Sequence, residues 1–421
     1  MMQLNKEICI FGLGYVGLPL AVEFAKKFKT IGFDINTKRI NHLKNNIDET
    51  LEVESETLES LSNQLLFTSS IDDVRRCSIY IVTVPTPIDT DNKPDLSPLI
   101  NASKDIGSIL SKENIVIYES TVYPGVTEEI CAPILEKTSG LKFNKDFYCG
   151  YSPERINPGD KENKVSNIIK VTSGSSPEVA KLVDELYSEI IEVGTYLAPS
   201  IKIAEASKVI ENTQRDVNIA LINEFAVIFN QLGIDTQEVL NAADTKWNFN
   251  KYTPGLVGGH CIGVDPYYLT YKSEELGYRP DLILTARMLN NNMSKFIAEQ
   301  TVKKMISNRK DTKNADVLIL GVTFKENCPD IRNSKVVNLI NELKHLGLNV
   351  DVYDSLVNPK DLYDEYQIIA NNNLSNFTNK EYAAVIYAVA HDDIKSISSE
   401  VFGDAVIIDI KGAADKFTWR L

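Results

Sequence analysis

No CxxC pair occurs among the six cysteines, and none of them belongs to a local Cys/His cluster. A disulfide framework and a zinc site of ordinary spacing are both excluded on that ground, and no metal is expected. Cys9, Cys77, Cys131, Cys149, Cys261 and Cys328 read as reduced thiols of a cytoplasmic protein. No apolar stretch approaches the length of a membrane span. The opening residues, Met1 to Glu7, lack a signal-peptide layout, and the apolar run behind them breaks at Gly12 and Gly14. Basic runs are missing too. With a net charge of -14, the chain is not expected to bind nucleic acid or an anionic membrane non-specifically. Low-complexity segments are also absent, and 421 residues are too many for one core.

What is there is an alternation of short apolar runs and helical patterns. Glu7 to Phe11, a helical stretch from Tyr15 to Phe28, and Thr30 to Asp34 make one βαβ unit. Further strands are expected at Ile79–Val84, Ile115–Glu119, Phe147–Tyr151 and Ile168–Thr172, giving a parallel, doubly wound sheet over roughly residues 1–195. From Pro199 to Leu232 neither Gly nor Pro interrupts until Gly233, which predicts one long helix; a second helical block covers Asp281 to Ser307. The first pattern then returns. Strands at Ala315–Gly321, Asn349–Asp354, Ala383–Ala388 and Ala405–Ile410, with a helix at about Lys335 to Leu346, repeat the order strand, glycine, helix, strand, Asp. The expected fold is α/β: two Rossmann-like domains, 1–198 and 311–421, joined by a helical section, 199–310.

Gly12-Leu13-Gly14-Tyr15-Val16-Gly17 fits GxGxxG between a strand and a helix, and Asp34 stands twenty residues beyond Gly14. The glycines permit the turn and the approach of a pyrophosphate, and Asp34 suits a ribose 2′-hydroxyl, so NAD is favoured over NADP. The Thr83-Val84-Pro85-Thr86-Pro87 turn lies at the same sheet edge, as do Glu119–Gly125 and Ser152–Arg155. On the long helix Lys208, Asn212 and Arg215 share one face, which suits either water or an acid/base group. In the last domain Lys325 and Arg332 flank a loop at the carboxyl end of a strand; they suit a diphosphate, a carboxylate or solvent.

Cys261 lies within Gly258-Gly259-His260-Cys261-Ile262-Gly263-Val264-Asp265. A thiol in a nicotinamide enzyme suggests an aldehyde held as a thiohemiacetal, oxidised to a thioester and hydrolysed. A buried structural cysteine is the plainer alternative, though it needs neither the flanking glycines nor the acid.

Seven ordered motifs carry a resemblance along essentially the entire chain: GLGYVGLPLA (Gly12–Ala21), TVPTP (Thr83–Pro87), ESTVYPG (Glu119–Gly125), SPERINPG (Ser152–Gly159), AEASKVIENTQRD (Ala204–Asp216), GLVGGHCIGVDPYYL (Gly255–Leu269) and GVTFKENCPDIRNS (Gly321–Ser334). Together they resemble the UDP-glucose/GDP-mannose dehydrogenase family. Pro158, where UDP-glucose dehydrogenases carry a second glutamate, points to the N-acetylhexosamine branch, which includes the UDP-N-acetylglucosamine 6-dehydrogenases of Vi-capsule and O-antigen synthesis.

The resemblance implies Cys261 as nucleophile and Lys208, Asn212 and Asp265 as the acid/base and oxyanion-stabilising group. Thr121 and Glu154 would place water or the thioester. It implies NAD contacts at Gly12, Gly14, Tyr15, Val16, Gly17, Asp34, Arg39, Thr83, Pro85, Thr86 and Thr121. Lys325 and Arg332 match family residues near the sugar nucleotide in the second Rossmann-like domain, and both are assigned to the NAD site as well. Arg155, Ile156, Arg215 and Gly258, with Lys208, Asn212 and Lys325, match substrate contacts. The implied substrate is a UDP-N-acetylhexosamine, foremost UDP-N-acetylglucosamine, with the galactosamine, mannosamine and glucose forms as alternatives. The implied assembly is a homodimer on the central helix. A two-electron hydroxy-acid dehydrogenase and a silent NAD-binding regulator are the rivals of other classes.

Overall fold

The computed structural model describes residues 7–156, 165–259 and 261–421. Pro158 and His260, both named above, lie outside the described residues. The chain divides into two compact units, Met1–Glu211 with Tyr267–Tyr278, and Asn212–Pro266 with Arg279–Leu421.

The first unit is built on a six-stranded sheet: β1 (Ile8–Phe11), β2 (Thr30–Phe33), β3 (Leu65–Thr68), β4 (Ile79–Val82), β5 (Ile115–Tyr118) and β6 (Tyr148–Tyr151). All pairings are parallel, in the order β3-β2-β1-β4-β5-β6. Strands such as ICIF are apolar at every position because helices cover both faces. The order reverses beside β1, and ligands of such sheets bind in the crevice at that reversal. A core of Ile8, Ile10, Leu18, Phe24, Ile79 and Ile117 fixes the sheet against the helix Gly17–Ala25.

Two features of this unit depart from the sequence reading. Lys170–Thr172 (β7) does not join the main sheet; it pairs in parallel with Thr195–Leu197 (β8) as a separate two-stranded ribbon. β3 was not expected at all. It is an edge strand whose Leu66 points to solvent, so its apolar alternation is incomplete.

The second unit contains β9 (Asp316–Leu320), β10 (Asn349–Tyr353), β11 (Ala384–Tyr387), β12 (Val406–Asp409) and β13 (Trp419–Arg420), all parallel, in the order β10-β9-β11-β12-β13. This is the five-stranded doubly wound order rather than a copy of the first sheet. The long helix runs Ile201–Leu232 and contributes to both units, ending where Gly233 takes a φ of 70°. The helix Asp281–Ser307 lies where the sequence put it.

The two sheets share one local device. In the first, Gly12 donates its N–H to Phe33 O at 2.8 Å and Leu13 N–H donates to Asp34 Oδ2 at 2.8 Å. In the second, Gly321 donates to Tyr353 O at 2.8 Å and Val322 N–H donates to Asp354 Oδ2 at 2.7 Å. An aspartate past the second strand thus grips the glycine turn in each. Asp354, however, is fully buried, and the ring of His391 closes over it at 3.2 Å.

Candidate active site

The glycine turn of the first unit has three glycines with three separate causes. Gly12 has a φ of 94°, which a side chain would strain. A Cβ on Gly17 would lie 1.8 Å from Gly12 O and 2.4 Å from Thr83 Oγ1. Among the described residues, a Cβ on Gly14 would meet nothing within 4 Å. Those residues therefore make no demand for glycine at position 14. An approaching pyrophosphate does, and the exposed Gly14 fits that role. Thr83, read above as a cofactor contact, has a structural task as well: its hydroxyl donates to Gly12 O at 2.7 Å or Phe11 O at 3.0 Å.

Asp34 accepts N–H bonds from Leu13 and Asn36, both at 2.8 Å, so the carboxylate is fixed at the end of β2. Asn36 caps the helix Thr37–Lys44 and brings Arg39 back toward the turn. Arg39 is buried; its Nε donates to Leu13 O at 2.9 Å and Nη2 lies 2.7 Å from Asp48 Oδ1. Arg39 thus braces the loop from behind. Tyr15, Val16, Thr83 and Thr86 are half-buried around it, and Pro85 is exposed.

At the far side of the same sheet edge, Ser120 donates to Val84 O at 2.6 Å and ties the Thr83–Pro87 turn to the Glu119–Gly125 turn. Glu205 of the long helix accepts N–H bonds from Gly125 at 2.5 Å and Thr127 at 2.9 Å. Its burial raises its carboxyl to about 7, against those two bonds. Thr121 lies half-buried within this braced turn.

Glu154 is buried after β6. Its Oε1 accepts the N–H of Arg155 at 2.6 Å and of Ile156 at 2.5 Å, and its Oε2 accepts from Lys170 Nζ at 2.9 Å. Arg155 is engaged with Glu211 through Nε at 3.0 Å and with Ile169 O through Nη1 at 3.0 Å.

Lys208 and Asn212 are buried on successive turns of the long helix, whereas Arg215 is exposed. In the second unit Asn212 Nδ2 donates to Asp265 Oδ2 at 2.6 Å, both side chains buried. Asp265 opens the helix Asp265–Glu275, and its N–H donates to Cys261 O at 2.8 Å. Five of the six cysteines are buried; Cys261 alone is partly accessible. Burial pushes the Cys131 thiol up to about 12 and the Cys9 and Cys149 thiols well above their ordinary range, so none of these three is a usable nucleophile.

The Cys261 loop is held by residues that sequence reasoning missed. Asn333 O accepts the Gly259 N–H at 3.1 Å, and Asn333 Nδ2 donates to Gly259 O at 2.8 Å. A Cβ on Gly258 would sit 2.5 Å from Asn333 O, and one on Gly259, whose φ is 79°, 2.7 Å from the Phe324 ring. Farther back, Asn223 accepts from Gly255 N at 2.8 Å and donates to Gly255 O at 3.0 Å. Arg332 is exposed and bound to the buried Asp330 through Nε at 2.9 Å and Nη2 at 2.5 Å; Lys325 is half-buried. The only sequence signals were the place of Asn333 in the GVTFKENCPDIRNS motif and of Asn223 on the long helix.

Known proteins resemble this chain along most of its length. The UDP-glucose/GDP-mannose dehydrogenase NAD binding domain matches residues 6–191, the central domain of the same family residues 202–292, and its UDP binding domain residues 318–416. The UDP-N-acetyl-D-glucosamine 6-dehydrogenase of Pseudomonas aeruginosa is 55% identical over 415 residues, covering 97% of each chain. That of Salmonella typhi is 55% identical over 394 residues, covering 94% of this chain and 92% of its own. Among solved structures, a UDP-D-ManNAc dehydrogenase from Pyrococcus horikoshii superposes with a TM-score of 0.89 at 30% identity, covering 98% of each chain. The chain belongs to the UDP-glucose/GDP-mannose dehydrogenase family and is an NAD-dependent nucleotide-sugar dehydrogenase.

Proposed function

We propose that the chain oxidises the C6 hydroxymethyl of UDP-N-acetylglucosamine to the uronate, reducing two NAD per sugar. The observation that carries the reading is the accessible Cys261 in a chain 55% identical to enzymes named for that sugar. Lys208 takes the O6 proton as hydride leaves C6 for NAD. The Cys261 sulfur adds to the aldehyde carbon, and a second NAD takes the remaining hydride, leaving a thioester. Asn212 and Lys208 stabilise the oxyanion in both addition steps. Water, assisted by Asp265 and Thr121 and placed by Glu154, then cleaves the thioester and returns the thiol.

Residues 1–198, 199–310 and 311–421 serve in this scheme as NAD-binding, central and UDP-sugar-binding parts. In this scheme Arg155, Ile156, Arg215, Gly258 and Lys325 contact the sugar nucleotide, with Arg332 near it. A homodimer through the long helix is supported by its exposed apolar stripe of Ile203, Ile210, Leu221, Ile228 and Leu232, whose spacing keeps all five on one face. The uronate would serve surface-polysaccharide assembly.

The test is NAD reduction with a panel of UDP-sugars. The reading expects the highest kcat/KM with UDP-N-acetylglucosamine. A preference for UDP-glucose, or for the galactosamine or mannosamine forms, would overturn the choice of sugar.

A further inference from the structure

Three charged side chains are buried together in the first unit without having been singled out by any motif as a group. Lys170 Nζ, at the start of β7, donates to Glu119 Oε2 at 2.7 Å and to Glu154 Oε2 at 2.9 Å. Glu119 follows β5 directly and also accepts a short hydrogen bond from the Tyr187 hydroxyl. Lys170 and Glu119 are almost wholly inaccessible, and Glu154 is about nine-tenths buried. One ammonium thus serves two carboxylates.

Such a group is expensive to bury, and apolar side chains of similar volume would commonly give a more stable core. Its geometry is also asymmetric. Both Glu119 oxygens are committed inside the core, to Lys170 and Tyr187. Glu154 instead has one oxygen tied to the Arg155 and Ile156 amides and the other to Lys170, at the edge where β6 ends. The charged and titratable groups facing Glu154 among the described residues are Lys170, Glu119 and Tyr187. Its neighbour Arg155 is committed to Glu211 and Ile169.

We propose that Lys170 is a positioning residue for the hydrolytic half of the reaction, holding Glu154 ionised and in one orientation toward the water that cleaves the thioester. This rests on the reading of Cys261 and Glu154 given above. Proton uptake by the cluster divides accordingly. Burial, opposed by Lys170, raises the Glu119 carboxyl to about 7, while the Lys170 ammonium and the Ile156 amide hold that of Glu154 below its ordinary range against the same burial. As pH falls, Glu119 takes the first proton and Glu154 stays a carboxylate. Without the ammonium, Glu119 stays protonated and the burial of Glu154 is opposed by the Arg155 and Ile156 amides alone, so its carboxyl titrates at higher pH.

The experiment compares Lys170→Met, Lys170→Arg, Glu119→Gln and Glu154→Gln in the full-length enzyme, with UDP-N-acetylglucosamine and NAD as probes. Read-outs are the pH profile of kcat, NAD affinity, and the mass of Cys261-containing peptide after an acid quench during turnover. Lys170→Met is expected to lower kcat tenfold to a hundredfold, move the acid limb to higher pH, leave NAD affinity unchanged, and accumulate an acyl adduct on Cys261. Lys170→Arg should restore most of the rate. Glu119→Gln keeps a one-to-one pair and should retain hydrolysis without the adduct, which tests the proposal even if Lys170→Met does not fold. A folded Lys170→Met with the wild-type pH profile and no adduct overturns the proposal, as does a Glu119→Gln that stalls as Glu154→Gln does. A Glu154→Gln that turns over at the wild-type rate overturns instead the underlying role of Glu154.

Discussion

Asn212 donates its Nδ2 hydrogen to Asp265 Oδ2 at 2.6 Å, with both residues buried. The bond fixes the amide and the carboxylate against each other at the amino end of the helix that follows Cys261. On the proposed mechanism, replacing Asn212 by Ala removes an oxyanion donor, and it takes one hydrogen-bond donor from the buried Asp265 carboxylate. The expected loss in kcat is about 10²–10³-fold, with the KM for NAD unchanged. Steady-state kinetics on purified Asn212→Ala checks both.

Cys261→Ala should abolish uronate formation and leave NAD affinity intact, measured by product chromatography and cofactor titration. Brief alkylation of the native enzyme should label Cys261 before any other cysteine, because the remaining five are buried. Labelling spread evenly over the cysteines in peptide mass spectra would contradict that.

Gly17→Ala should lose NAD binding, since its methyl would occupy the space of Gly12 O and Thr83 Oγ1. Asp34→Ala should weaken NAD by roughly tenfold, about 1.4 kcal/mol, and narrow the preference for NAD over NADP. Fluorescence titration with both cofactors reads the two effects.

Asp354 gives a pH-dependent stability term of known sign. The His391 ring and the Val322 and Leu356 amides hold its carboxyl below the usual range, against the effect of burial. The His391 Nδ1 accepts the Asn327 N–H at 2.8 Å, so the ring proton is on Nε2, facing Asp354. The unfolded chain binds more protons at this residue than the folded one does. Its contribution is therefore complete above an ordinary aspartate pKa of about 3.9 and is lost as pH falls through the lower folded value. Asp354→Ala leaves the His391 ring N–H and the Val322 amide without their acceptor and should cost about 1–3 kcal/mol at neutral pH, and the difference in Tm from wild type should shrink in acid.

Local pattern carried much of this architecture into view. Apolar patterns marked β1, β4, β5 and, in the second sheet, β9 to β12, whereas the two-residue β13 was not expected; the absence of Gly and Pro marked the long helix. The glycines and Asp34 were legible because they lie within one βαβ unit, and Cys261 because its neighbours are unusual for a buried thiol. What stayed hidden depends on residues far apart in the chain. Lys170 meets Glu119 across 51 residues, and Asn333 meets Gly259 across 74. Neither pairing leaves a periodic trace. The ribbon of β7 with β8 escaped for the same reason: a short apolar run does not say which strand it will pair with.

Counting NADH per sugar tests the four-electron account most directly. With limiting UDP-N-acetylglucosamine and excess NAD, the account predicts a plateau of two NADH per sugar and the uronate as product. A plateau at one NADH, with free aldehyde in solution, would contradict it.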